Sequence, residues 1–535
     1  MTGKWNIFFY AGIALILLLV GCSQQEQAEG NLENKQKNEL ILSVGGEPAT
    51  GFDPTAGWGR YGSPLFQSTL LKRDNDLQII HDLASRYEVS ADGKVWTVEL
   101  REDVYFSDGQ PLTAEDVQFT FETATANGSV VDLTMLETIE AIGEFTIQFT
   151  LKKAQSTFIN SLVATGIVPK HAYGEDYSQN PIGSGPFQLV QWDKGQQLII
   201  EANPNYYGDK PEFQKITFLF LSEDAAFAAA KAGNLDVVAI PAAFSQQTVR
   251  GMRLEAVKTV DNRGIAFPYL KSGTVTNDGI LVGNDVTADL AIRQAINLAI
   301  DREALIEGVL EGYGSPAYTP VDRLPWWNPD TVFDDGDIES ARQILHDAGW
   351  VDEDGDGVLT KGGLKAEFSL YYPANDAIRQ SLAIAVADMM RPLGIVMKIE
   401  GESWDAIEKK MHSNAVVMGW GSHDPQELYN VYNSEFAGID YYNTGFYSNQ
   451  TVDEYLTKAL AALNEKEANE YWKLAQWDGK TGLSAKGDAP WAWLVNIDHL
   501  YLVKNELDIG KQRIQPHGHG WPITDNIVEW KWNEE

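Results

Sequence analysis

The stretch Met418-Gly419-Trp420-Gly421-Ser422-His423-Asp424-Pro425 gathers side chains that could hold a small ligand. The Trp420 indole has a flat apolar face and one N–H donor. Asp424 can meet a positive charge, and His423 can accept, donate or ligate a metal. Gly419 and Gly421 leave bare backbone on both sides of the indole, so a ligand's main chain is expected to approach there, much as an added strand does. A plainer reading uses the same residues, because Asp-Pro starts a turn without any ligand. The run Ala415-Val416-Val417 before the stretch reads as a short buried strand that would place the loop at its end.

Other patterns exclude more than they support. The 8 histidines form no His-x-x-x-His or Cys-His spacing, so a catalytic zinc has no ligands by sequence. His517-Gly518-His519 could take a soft divalent metal, although a loop pair is more ordinary as surface. Asp352-Glu353-Asp354-Gly355-Asp356-Gly357 starts like a calcium loop. Its twelfth position is Gly363, where a bidentate acid is needed, so it reads as a solvated turn. There is no Gly-x-Ser-x-Gly elbow, no Walker loop and no carboxylate pair in a catalytic motif. An enzyme is not expected, and a secreted peptide hydrolase stays only a remote alternative. No cofactor is expected. Trp58, Tyr61, Trp420, Tyr429 and Trp493 lie in polar or glycine-rich stretches that suit a cleft. One indole of Trp491-Ala492-Trp493 is expected to be buried structure.

The chain opens with Lys4, an apolar run from Ile7 to Val20, and Leu19-Val20-Gly21-Cys22. That run has the size of a signal-peptide core and is short for a membrane span. The tetrad resembles a bacterial lipobox, which implies cleavage before Cys22 and a lipid on its thiol. Cys22 is the only cysteine, so no disulfide competes for it. Residues 23–38 are polar and read as a tether. The remainder is 44% hydrophobic and 11% aromatic, enough for two or more cores. The formal net charge of −35 argues against nucleic acid or an anionic membrane surface as partner.

The elements that must position these residues follow a strand–helix rhythm. Leu40–Val44 is a strand, and Asp92-Gly93 turns a hairpin into Val95–Leu100. Ser63–Leu71 has helical spacing, and Thr113 with the acids after it starts a helix. Strands near 216–221 and 235–240 flank a helix near 225–232. A long apolar helix is expected over 288–310. A second set comprises a strand at 364–372, a helix at 376–391 and a strand at 394–399. Two α/β lobes follow from this rhythm.

Asp92-Gly93-Lys94-Val95-Trp96-Thr97 and Leu100-Arg101-Glu102-Asp103-Val104-Tyr105-Phe106-Ser107-Asp108-Gly109 resemble the signature of family 5 extracellular solute-binding proteins. Further motifs follow in the family's order: Pro181–Phe187, Asn203–Gly208, Ile292–Arg302, and Ala341–Leu345 with Ala348-Gly349-Trp350. The resemblance implies an α/β type II periplasmic-binding-protein fold with an extra domain and a ligand cleft between the lobes. It places one lobe at 39–57, 181–280 and 490–535, the extra domain at 58–180 and the other lobe at 281–489. The lobes would then cross near Ile280 and Ala489 and close on the ligand. It further implies a lipid-anchored monomer on the outer face of the cell membrane that delivers a short peptide to an ABC importer permease. The alternatives are a nickel or other metal chelate, or another solute such as a sugar. Asp424 matches the position that holds a peptide's amino group in relatives. Gln426 stands where a nickel-binding relative has His, which counts against that contact. His423 keeps a metal chelate open. Arg60 and Arg379 are the candidates for a ligand carboxylate.

Overall fold

The computed structural model describes residues 38–128 and 131–533. Cys22 and the stretches read as signal and tether lie outside the described residues. Three sheets organise the chain. The first has seven strands in the order Met252–Val257, His499–Lys504, Val237–Ile240, Glu39–Ser43, Lys215–Leu219, Gln197–Ala202 and Phe187–Asp193. The second has six, in the order Gly314–Pro316, Trp491–Ile497, Asn262–Ala266, Ala415–Met418, Glu367–Pro373 and Val396–Glu402. The third has four, Ala84–Val89, Val95–Leu100, Thr146–Leu151 and Leu136–Gly143, and belongs to an inserted domain.

Local chemistry explains most of these elements. Gly93 takes φ +71° in the turn that joins two strands of the inserted sheet, where a side chain would be strained. The helix Ala114–Ala126 starts where the Asp116 carboxylate accepts the Thr113 N–H at 2.9 Å. The strand Glu367–Pro373 runs parallel to Val396–Glu402, joined by the helix Ala377–Met390. Leu382, Val386 and Met390 on that helix are buried in the second lobe's core with Leu370 and Val417.

Three expectations need correction. Ser63–Leu71 forms no helix; it is a run of turns leading into the short strand Leu71–Arg73, with Leu65 at φ +57°. The 288–310 segment is two helices, Leu290–Ala299 and Arg302–Val309. Asp301 caps the second by accepting the Ala304 N–H at 2.9 Å, which the apolar period alone could not reveal. The lobes cross elsewhere than near Ile280 and Ala489. The chain leaves the first sheet after Val257 and enters the second at Asn262; it returns between Ile497 and His499. Buried apolar strands read alike whichever sheet they join, so borders at 280 and 490 are misplaced.

The inserted domain also grips the second lobe. The Ser156 N–H and hydroxyl donate to the carbonyls of Leu460 and Ala459 at 2.7 and 2.8 Å, at the end of the helix Gln450–Ala461. Thr157 and Gln155 donate to the Gln426 side chain at 2.9 and 3.3 Å.

Candidate ligand site

The strand Ala415–Met418 is wholly buried, and its end delivers Trp420, Ser422, His423 and Asp424 to a cavity of about 620 Å³. Arg60 and Tyr61 line it from the segment after the first strand. Arg73 and Asn160 line it from the inserted domain, and Arg513 from the C-terminal segment. Three parts of the sequence thus converge there, as a ligand site between lobes requires.

Trp420 stacks on Tyr442, centroids 5.4 Å apart and planes 16° from parallel. Its Nε1–H is buried and has no hydrogen-bond acceptor within the protein. Asp424 Oδ1 accepts from Asn160 Nδ2 at 3.0 Å and from the Gln426 N–H at 2.9 Å. Burial pushes the Asp424 carboxyl up to about 6 against the pull of that N–H, Arg73 and Arg60. His423 is held well below the ordinary imidazole value by burial and by the Arg513 and Arg73 charges, so it is neutral. Its Nε2 is buried without a partner, and its carbonyl accepts from Arg73 at 2.9 Å. The Arg60 guanidinium stands 4.9 Å over the Tyr61 ring. Among the described residues no carboxylate pairs with Arg60 within 4.0 Å.

Sequence reasoning missed Glu427. It lines the same cavity, and its carboxylate accepts the N–H groups of Gly421 at 3.2 Å and Ser422 at 3.3 Å. Burial pushes it up to about 7. The signal was available: three residues past Asp424, at the start of the helix Gln426–Tyr432, a side chain returns to the same side. Arg73 and Asn160 carried no such signal, since only the tertiary fold brings them near.

Several expected site residues lie elsewhere. Gly419 and Gly421 are tight against the protein's own backbone. A Cβ on Gly419 would sit 2.3 Å from the Asn262 carbonyl, and one on Gly421 2.2 Å from that of Val260. Gly421 donates its N–H to Glu427 and its carbonyl accepts the His517 N–H at 2.7 Å. Trp420 likewise exchanges both backbone bonds with Asn262. These glycines serve strand packing, and main-chain pairing to a ligand at Gly421 is already blocked. Trp493 is 3% exposed, donates to the Tyr432 hydroxyl at 2.9 Å and stacks on Trp491, so both indoles are core. Trp58 is also buried; it donates to the Pro64 carbonyl and packs on Phe52 and Trp521. Tyr429 bonds Glu435. Arg379 pairs with Asp376 at the start of its own helix and does not line the cavity.

His517 and His519 stack at 4.8 Å, and His517 Nδ1 lies against Asp261 as an ion contact rather than a well-directed hydrogen bond. No third ligand joins them. Among the described residues, only Asp352, Asp354 and Asp356 bring three ligand atoms together. Those exposed carboxylates cap their own turn through the N–H groups of Gly355, Gly357 and Val358, and Lys365 pairs with Asp356.

The profile described as "Bacterial extracellular solute-binding proteins, family 5 Middle" matches residues 78–442. The chain belongs to this family. Its members are receptors rather than enzymes, built on the type II periplasmic-binding-protein fold that the two sheets display. The chain is 32% identical over 517 residues to Protein XP55 of Streptomyces lividans, covering 93% of this chain and 91% of that one. It superposes on NikZ from Campylobacter jejuni in complex with Ni(L-His) with a TM-score of 0.75 at 27% identity, covering 92% and 99% of the two chains. It superposes on the oligopeptide-binding protein AppA from Bacillus subtilis in complex with a nonapeptide with a TM-score of 0.68 at 25% identity, covering 93% and 99%. The family is extracytoplasmic and serves ABC importers. No helix among the described residues is long and apolar enough to cross a membrane.

Proposed function

We propose that this chain captures a short peptide between its lobes and delivers it to the permease of an ABC importer. The observation that carries the reading is the cavity corner, where acid and base stand on opposite lobes without pairing. Asp424 and Glu427 belong to the second lobe, and Arg60 projects from the segment after the first lobe's first strand. A zwitterionic ligand would give each a partner, and the free Trp420 Nε1–H would meet a carbonyl or carboxylate oxygen. Arg60 is the better candidate of the two arginines for the carboxylate, because Arg379 is already paired. The likeness to AppA supports a peptide.

One observation favours a second reading. The neutral His423 presents an unpartnered Nε2, which could ligate a metal held in a chelate, and NikZ was solved with Ni(L-His). The lipid on Cys22 would tether the receptor as a monomer to the outer face of the membrane.

Native mass spectrometry of the protein as purified tests the reading directly. A retained mass that fragments as a peptide supports it. A retained mass carrying a nickel isotope pattern selects the second reading, and His423→Ala should then abolish retention.

A further inference from the structure

Most buried carboxylates in this protein have an evident reason to be there. Asp261 is paired with Arg263, and Asp525 with Arg513. Asp322 has no cation but receives the N–H groups of Tyr318 and Thr319, the Thr319 hydroxyl and a long bond from Asn496. Glu427 has neither kind of support. Its two bonds, at 3.2 and 3.3 Å, are long for a carboxylate acceptor. Among the described residues no Lys, Arg or His nitrogen lies within 4.0 Å of Glu427 or Asp424. Both side chains are partly buried and face the cavity.

The charged groups around the pair are otherwise committed. Arg73 and Asp132 come from the inserted domain, Arg60 from the first lobe and Arg513 from the C-terminal segment. Arg73 donates to Leu77, Asn160 and His423, and Arg513 to Arg73 and Asp525. Arg60 stands over Tyr61, and Tyr61 and Tyr432 are the ionisable hydroxyls that feel Glu427. Asp424 Oδ1 already takes two donors, which leaves Oδ2 and the Glu427 oxygens to face a ligand.

We infer that Glu427 is a second acidic residue of the ligand site, and that the cationic end of the ligand displaces a proton held by the Asp424–Glu427 pair. This rests on the peptide reading and deepens it. The balance is simple. The empty pair carries one proton, the ligand arrives as an ammonium, and the proton leaves to solvent as the ammonium takes its place. Two carboxylates this close in a poorly solvated corner cannot both ionise until a cation arrives. Affinity must therefore rise as pH rises and the proton is more readily lost. The values of about 7 for Glu427 and about 6 for Asp424 place the change in the neutral range.

The test uses a random library of di- to nonapeptides, in free and N-acetylated forms, with retention on the full-length protein read by mass spectrometry at pH 7.5 and 5.5. The parent should retain free-amine peptides, about tenfold more tightly at pH 7.5. Glu427→Gln should lose about tenfold or more at pH 7.5 and show a shallower pH slope, whereas Glu427→Asp should keep the slope. Thermal melts confirm that both variants are folded. If Glu427→Gln holds peptides as the parent does while Asp424→Asn does not, the second acid is refuted and the peptide receptor stands. Weaker binding with the parental slope makes Glu427 a brace of the Gly421–Ser422 turn and refutes the proton exchange. If the parent retains no free-amine peptide at either pH, the peptide reading falls, and this inference falls with it.

Discussion

Two acid clusters meet at one peptide unit and are wired in opposite ways. Gly421 gives its N–H to Glu427 and receives the His517 N–H on its carbonyl; His517 in turn lies against Asp261. On the Asp261 side every charge is matched. Arg263 and His517 approach one oxygen and His499 the other, at 3.2 Å. Burial would raise this carboxyl, yet Arg263 and the two imidazoles hold it well below the ordinary range. On the Glu427 side burial also acts, no cation answers it, and the carboxyl rises to about 7. Both sites cost solvation. The paired one sits where the chain crosses between lobes, and the unpaired one faces the cavity. A completed cluster holds a crossing in register; an uncompleted one waits for its counter-ion from outside.

The largest effect is expected at the completed cluster. Asp261→Ala would leave the buried Arg263 guanidinium without its anion, and breaking a buried pair in this way costs roughly 3–5 kcal/mol. Thermal unfolding should show a clear fall in the transition of the lobes. A loss within about 0.5 kcal/mol, typical of an ordinary surface change, would show that the crossing does not depend on Asp261 and would dissolve the comparison.

Next comes Asp424→Asn, which keeps the shape and the Asn160 contact and removes the charge. Folding should survive. Affinity for a free-amine peptide should fall by roughly 2–5 kcal/mol, since one member of a desolvated charge-assisted pair is lost. Calorimetry decides it. Binding as tight as the parent's would move the site away from this corner.

The contrast was only half legible in the sequence. The strand Ala415–Met418, the hairpin turn at Asp92-Gly93, and the two strand–helix sets follow from apolar period and turn chemistry, and the ordered motifs identified the family. Asp424 stood out because it follows an indole at a strand end. The glycines beside that indole misled, because a bare backbone signals close approach without saying to what; here the Asn262 and Val260 carbonyls approach. Trp493 misled for a related reason. Alternation in a strand marks two faces, but in a sheet covered on both sides each face is core. Asp261 drew no notice, since nothing in Val260-Asp261-Asn262-Arg263 tells that His499 and His517 fold back onto it.

The smallest effect sharpens the comparison most, because it has the opposite sign. Glu427 is raised from an ordinary value of 4.5 to about 7 in the folded chain. Between those values the folded state binds more protons than the unfolded one, so this group makes the protein less stable as pH rises, fully so above about 7. Glu427→Gln removes the charge and keeps the acceptor for the Gly421 and Ser422 N–H groups. At pH 5 the parent is mostly protonated there, and the two proteins should melt alike. At pH 8 the variant should be the more stable by about 1–2 kcal/mol, less than the full shift implies because the side chain is partly open to the cavity. Melting curves of the ligand-free proteins at the two pH values read this directly. A gain confined to high pH marks Glu427 as a site kept at the expense of stability. A loss at pH 8 would mean the carboxylate already has its counter-ion inside the protein, as Asp261 does.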